Sequence, residues 1–230
     1  MFQDLKSKPF GNIYKFNYFF AATLLAFICY FFVDKQLSIY CNWLDKNSNF
    51  SFVILAFGPL VQVVCDGKFL LPALVASLFF LNRDSRAFKI LVLMILLLLS
   101  LNFFLFFLKI IFARARPELL LNHGKYGFKF FSLQHAYHSF PSGHTFNITT
   151  LAVIAMVFFP RYKQLWFIIG VVAVLSRVIY LKHYLSDVIF SVYLVLILLP
   201  ISYAIMEKIS DYMPNLKPYL LILTTEWRTV

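Results

Sequence analysis

The chain has 230 residues, of which 61% are hydrophobic and only 13% charged, with a mean hydropathy of +0.79. A disordered segment needs the opposite balance, and a soluble domain of this length carries about 25% charged residues, so most of this chain is solvated by lipid. The net charge of +11, from 21 Lys+Arg against 10 Asp+Glu, comes with too little polar surface for nucleic acid and points to anionic headgroups or a phosphorylated lipid.

The first apolar run is Tyr18–Val33, preceded by Lys6, Lys8 and Lys15. No small-residue cleavage site follows it, so it reads as an uncleaved anchor. Lys35–Asp66 mixes apolar and polar residues and is expected to form one or two interfacial helices. A seventh crossing at Phe52–Val64 is the alternative, although Gly58-Pro59 breaks that segment. Further runs follow at Phe69–Leu81, Ile90–Leu108, Phe146–Phe159, Leu165–Leu181 and Val188–Met206. About 20 apolar residues cross a bilayer as a helix. The expected fold is therefore all-α and polytopic, with six transmembrane helices over 18–206, a cytoplasmic N-terminus over 1–17 and a cytoplasmic tail over 207–230. Cys29, Cys41 and Cys65 are odd in number and show no metal-ligand spacing.

Basic residues gather on the cytoplasmic side of membrane proteins. With six helices the N-terminal lysines, Arg83, Arg86 and Lys89, Arg161 and Lys163, and Lys208, Lys217 and Arg228 share one side. The other side breaks the rule, because it carries Lys109, Arg114, Arg116, Lys125, Lys129, Arg177 and Lys182. An anion held on that outer side would explain them.

Three stretches meet there. In Lys109-Ile-Ile-Phe-Ala-Arg-Ala-Arg116-Pro117 the Lys and the second Arg are seven apart, on one helical face, and Pro117 is expected to end the helix. Ser139-Phe-Pro-Ser142-Gly143-His144-Thr145 is a turn opening onto a helix N-terminus, where amides and the dipole attract an anion. Ser142 adds a hydroxyl, and Gly143 permits close approach. In the third stretch Arg177 ends a helix, and His183 and Asp187 are four apart at the start of the next, a spacing that lets a carboxylate fix an imidazole tautomer. Read singly, each stretch is an ordinary helix terminus, N-cap or interfacial ion pair. Together they make a phosphate site: an Arg pair, a Lys point charge and backbone amides. No carboxylate cluster supplies a metal cage, so neither a metal nor another cofactor is expected.

The pattern Lys-x6-Arg-Pro, Pro-Ser-Gly-His and Ser-Arg-x5-His-x3-Asp resembles the type 2 phosphatidic acid phosphatase superfamily, in its integral-membrane branch. The resemblance implies that His183 is the nucleophile, taking the phosphoryl group as a phosphohistidine, and that Asp187 orients it. It implies that His144 is the general acid and later the general base. Lys109, Arg116, Ser142, Gly143 and Arg177 match the positions that hold the phosphate oxygens. Arg114 falls outside the pattern, and its role is open.

The expected function is hydrolysis of a phosphomonoester or pyrophosphate on a membrane lipid. Candidates are undecaprenyl pyrophosphate, lipid A, phosphatidylglycerol phosphate and phosphatidic acid. A lipid phosphotransferase using the same phosphohistidine and a non-catalytic lipid transporter are the alternatives. A bacterial inner membrane with the site on the periplasmic face is the expected location. His123, His135 and His138 lie in the 118–140 loop without regular zinc spacing. That loop is read either as packing over the site or as a lid touching headgroups. Nothing in the sequence speaks to oligomeric state.

Overall fold

The computed structural model describes residues 16–47, 67–212 and 218–219. Among these residues the chain forms seven helices. The first, α1, runs from Phe16–Ile28 through a π-helical turn, Cys29–Val33, into Asp34–Asn47. The others are α2 (Gly67–Ser77), α3 (Arg86–Phe112), α4 (Pro117–His123), α5 (Gly143–Phe158), α6 (Lys163–Ile179) and α7 (Leu185–Tyr212). All six apolar runs expected from the sequence fall on these helices. Four helical stretches are long and apolar enough to cross a membrane: Phe20–Asn47, Ala87–Phe112, Pro160–Ile179 and Leu185–Ile209. Phe69–Phe80 and Gly143–Phe158 are shorter apolar helices.

The first helix departs from expectation. It does not stop at Val33, because Ile28 and Asp34, which flank the π turn, both keep right-handed helical angles. Asp34 is 1% exposed and faces the interior, so its charge gives the helix no reason to end. Asp34, Ser38 and Cys41 form the buried side of the continuation, and Ser38 Oγ donates to the Asp34 carbonyl. The expected interfacial helices thus begin as an extension of α1. Residues 48–66, including the candidate crossing at Phe52–Val64, lie outside the described residues.

The core is built on four-residue ridges. Leu93, Leu97, Leu101 and Leu105 of α3 pack with Phe146, Val153, Ile154 and Val157 of α5 and with Val195, Leu199 and Tyr203 of α7. A polar pin crosses the same interface, where Asn102 Nδ2 donates to Asn147 Oδ1 at 2.9 Å. The outward faces stay apolar, with Phe103, Phe106 and Phe107 on α3 and Ile168 and Val172 on α6 all exposed. Patches of that kind belong against lipid or a partner rather than water.

The helix pair α5–α6 packs most extensively, and its closeness has a specific cause. A Cβ added at Gly170 would lie 3.1 Å from the Ala152 Cβ. Small residues let helices approach in a membrane, where van der Waals packing replaces the hydrophobic effect. Gly170→Val should wedge the pair apart and lower stability by about 1–3 kcal/mol. Thermal unfolding in detergent checks this, and an unchanged midpoint would show that the contact is not tight.

Candidate functional site

The site lies at one end of the bundle, where α3 ends, α5 begins and α6 turns into α7. Helix α3 stops at Phe112, four residues before Arg116, because Ala113 takes a left-handed conformation (φ 44°) and closes the last turn. Pro117 therefore does not end α3; it opens α4 at its first position, where a missing N–H costs nothing. Lys109 and Arg116 consequently do not share a helical face. They meet through the loop instead: Lys109 Nζ donates to the His138 carbonyl at 3.0 Å, and Arg116 Nη2 reaches the same oxygen at 3.4 Å.

The 118–140 loop is a wall of the site. A helix end leaves its last carbonyls without partners, and here the returning chain supplies them. The amides of Ser132, Phe131 and Phe130 donate to the carbonyls of Ile110, Ile111 and Phe112, and Lys129 donates to Ala113. Doing so forces Phe130 and Phe131 to positive φ, 55° and 48°, an uncommon state for bulky residues. Phe128 pairs with Arg114 through a β-bridge, and its ring packs edge-on against Phe140. Phe130, Phe131 and Leu133 remain exposed.

At the start of α5, Ser142 is the N-cap, and its Oγ accepts from the Thr145 amide at 3.3 Å and the Thr145 hydroxyl at 2.8 Å. The Ser142 amide is fixed by Ser191 Oγ at 2.7 Å. Gly143 follows, and a Cβ there would sit 3.5 Å from Lys109 Cε and 3.8 Å from its Nζ. The ammonium thus overhangs the head of the helix, a combination suited to an oxyanion.

His183 is 1% exposed. Its Nδ1 lies 2.7 Å from the Ser139 carbonyl, an acceptor only, so this nitrogen carries the proton and Nε2 keeps its lone pair in the neutral ring. The i,i+4 spacing brings Asp187 to 3.9 Å from Nδ1, beyond hydrogen-bonding reach. The Asp187 carboxylate is engaged elsewhere. One oxygen accepts from Ser139 Oγ at 2.6 Å and from the Tyr184 amide at 3.0 Å, and the other accepts from Arg114 Nη1. Asp187 therefore reaches the imidazole through Ser139. The Tyr184 contact is also half of a capping box at the head of α7.

Arg114, whose role the sequence leaves open, is the hub of this region. Its Nη1 donates to Ser186 Oγ at 2.6 Å as well as to Asp187. Its Nη2 donates to Asp34 Oδ2 at 2.8 Å and to Tyr126 Oη at 3.0 Å. Ser186 in turn binds Asp34 through both its amide and its hydroxyl. The guanidinium is boxed by the rings of Tyr184, Tyr30, Tyr126 and Phe128 at 4.2–5.6 Å. Burial opposes its charge, but Asp187 and Asp34 outweigh burial and hold it above the ordinary Arg range. The sequence reading gives Asp34, Ser139 and Ser186 no role in the site. The available signal was Asp34 itself, a lone carboxylate ending a long apolar run, since ionisable groups at membrane depth are costly.

The remaining residues of the three stretches lie at the same end of the bundle. The rings of His144 and His183 are 6.2 Å apart. Arg177 is buried; its guanidinium binds Ser176 Oγ, and its carbonyl accepts from the amides of Lys182 and His183, which shapes the turn that presents the imidazole. Burial, then Arg116, Lys109 and His144, push the His183 imidazole well below its usual range, so it is neutral near pH 7. Among the described residues no group of three His, Cys, Asp or Glu side chains is arranged to hold a metal ion.

Residues 88–211, more than half of the chain, match the PAP2 superfamily, and the chain belongs to that superfamily. It is also 35% identical over 82 residues to the lipid A 1-phosphatases of Rhizobium johnstonii and Rhizobium etli, a stretch covering 36% of this chain and 34% and 35% of those proteins. The chain thus spans about a third of the length of these relatives. No solved structure matches it.

A ring held neutral in the fold has a stability consequence. The unfolded chain takes up a proton near the ordinary imidazole value of about 6.5, whereas folded His183 does so only at lower pH. Its contribution to stability is complete above about pH 6.5 and is lost as the pH falls. The thermal midpoint of the wild type should drop more steeply below that pH than the midpoint of His183→Gln. Parallel curves would refute a neutral buried ring.

Proposed function

We propose that the protein is an integral-membrane lipid phosphatase that hydrolyses a phosphomonoester or pyrophosphate through a phosphohistidine on His183. The observation that carries this reading is the fixed tautomer: Nδ1–H is held by the Ser139 carbonyl, which leaves the lone pair on Nε2, in a ring within electrostatic reach of Lys109 and Arg116 and close to His144.

The reaction runs in two displacements. His183 Nε2 attacks phosphorus, the bond to the leaving oxygen breaks, and that oxygen takes a proton from His144. His144 then removes a proton from water, the water oxygen attacks phosphorus, and the electron pair of the P–N bond returns to Nε2. Phosphoryl transfer needs chiefly positioning and charge stabilisation. Lys109, Arg116, Arg177, the Ser142 hydroxyl and the Gly143 amide fill that role, which makes the reaction independent of a metal ion. The Rhizobium relatives are lipid A 1-phosphatases, which makes a phosphorylated glycolipid of the lipid A type the first substrate to test.

The site faces the outer side of the membrane, because Arg83, Arg86, Lys89, Arg161 and Lys163 lie at the opposite end of the bundle and mark the cytoplasmic face. An impermeant thiol reagent should label Lys125→Cys from outside and Arg161→Cys only after permeabilisation. The reverse pattern would invert the topology.

Purified protein should release phosphate from a lipid panel with chelator present, and vanadate should inhibit as a transition-state mimic. Chelator sensitivity restored by a divalent ion would rule out the metal-independent scheme. His183→Ala should abolish both turnover and the acid-labile, base-stable phosphoryl label trapped by rapid quench. His144→Ala should slow a substrate with an alkoxide leaving group about 10²–10⁴-fold and a pyrophosphate less. Full activity in His183→Ala would overturn the assignment.

A further inference from the structure

The segment matching the superfamily begins at residue 88, yet a charged contact to the site comes from well before it. We infer that Asp34 on α1 and Arg114 after α3 form a positioning pair that sets both the orientation and the charge of the reacting imidazole, acting on His183 through Asp187 and Ser139. The inference rests on the phosphatase reading above.

The connections are continuous. Asp34 binds Arg114 Nη2 and both polar groups of Ser186, and Arg114 Nη1 binds Asp187. Asp187 accepts from Ser139 Oγ, and the Ser139 carbonyl accepts the hydrogen bond of His183 Nδ1–H. The Ser139 amide also donates to the Arg114 carbonyl at 3.1 Å, so backbone and side chain of Arg114 hold the same residue. Asp34, Arg114, Ser139, Ser186, Asp187 and His183 are all buried. Burial keeps bulk solvent from these groups, so the charges in the cluster are felt at the ring.

The pair sets a charge as well as a geometry. Asp34, Arg114 and Asp187 together carry one net negative charge. The other charged or titratable groups around His183 are Lys109, Arg116, His144, Arg177 and Tyr184, with Tyr126 reaching it through Arg114. Arg114→Gln leaves two negative charges and favours the imidazolium. Asp34→Asn leaves none and disfavours it. The two changes break the same ion pair, yet they must move His183 titration in opposite directions. A purely structural contact has no such signature.

The test uses the full chain in detergent with carbon-13 labelled histidine, the His183 signal being identified by its loss in His183→Ala. Relative to wild type, the His183 titration should rise by on the order of one pH unit in Arg114→Gln and fall comparably in Asp34→Asn. The double variant should return it toward wild type. In parallel, kcat should fall about 100-fold in each single variant, the scale of a misplaced reacting group, with KM little changed. Arg114→Lys and Ser186→Ala keep every charge while disturbing the contacts. They should lower kcat without moving the titration, and they decide the matter if a charge variant does not fold. Wild-type kcat in both would overturn the inference, as would shifts in the same direction for the two charge variants. The titration needs no substrate, so opposite shifts in a protein that hydrolyses nothing would count against the phosphatase reading alone.

Discussion

A guanidinium kept out of water must find its counter-charges inside the protein, and Arg114 finds them on two helices far apart in sequence. Charges at membrane depth cost about 2.5–3.5 kcal/mol each, even on the most lenient scale. Removing one partner of a buried pair typically costs about 3–5 kcal/mol. The chain meets that constraint by bending its architecture around the cation. Helix α1 runs on past Val33 so that Asp34 can face inward. The head of α7 offers Ser186 and Asp187 from its first turn. Four aromatic rings exclude solvent from what remains. Ser139, whose carbonyl holds the His183 Nδ1–H, is tied to this centre through the Asp187 carboxylate and the Arg114 carbonyl.

The end of α3 obeys a second constraint. Its last carbonyls would face a partly apolar surrounding, and the returning loop binds them one by one. That loop then comes to lie beside the helix it caps, which brings the His138 carbonyl under both Lys109 and Arg116. Left-handed backbone at Ala113, Phe130, Phe131 and Leu181 is concentrated around this rim. Strain of that kind persists only where surrounding contacts over-determine it.

The six apolar helices and the three polar stretches were legible because hydropathy and spacing are local properties. His144, Lys109 and Arg116, each from one of these stretches, lie close enough to His183 to influence its charge. Three things were not legible. The stop of α3 at Phe112 depends on Ala113, a residue with no intrinsic preference for the left-handed state, so Pro117 looked like the terminator. The i,i+4 rule correctly put Asp187 near His183 but could not know that Ser139, 44 residues away, would offer a better acceptor. Asp34 lies just past the first apolar run and drew no role, because its partner lies 80 residues further on. Each omission is a tertiary contact that overrides a sound local rule.

Helix lengths set the depth of the site. With 27 residues, α3 is about 40 Å long, whereas α5, with 16, is about 24 Å. The two lie side by side, and Gly143 at the head of α5 rests against Leu105 and Lys109, one to two turns short of the end of α3. The floor formed by the head of α5 is thus recessed below the end of α3, against a bilayer hydrocarbon core about 30 Å thick. If the substrate is the lipid proposed above, its headgroup has to sink from its own plane to reach that floor. Hydrophobic mismatch between this unequal bundle and its surroundings controls how far. On the phosphatase reading proposed above, bilayer thickness itself becomes an input to the reaction, and a change in acyl-chain length is expected to tune access to the site without any effector binding to the protein.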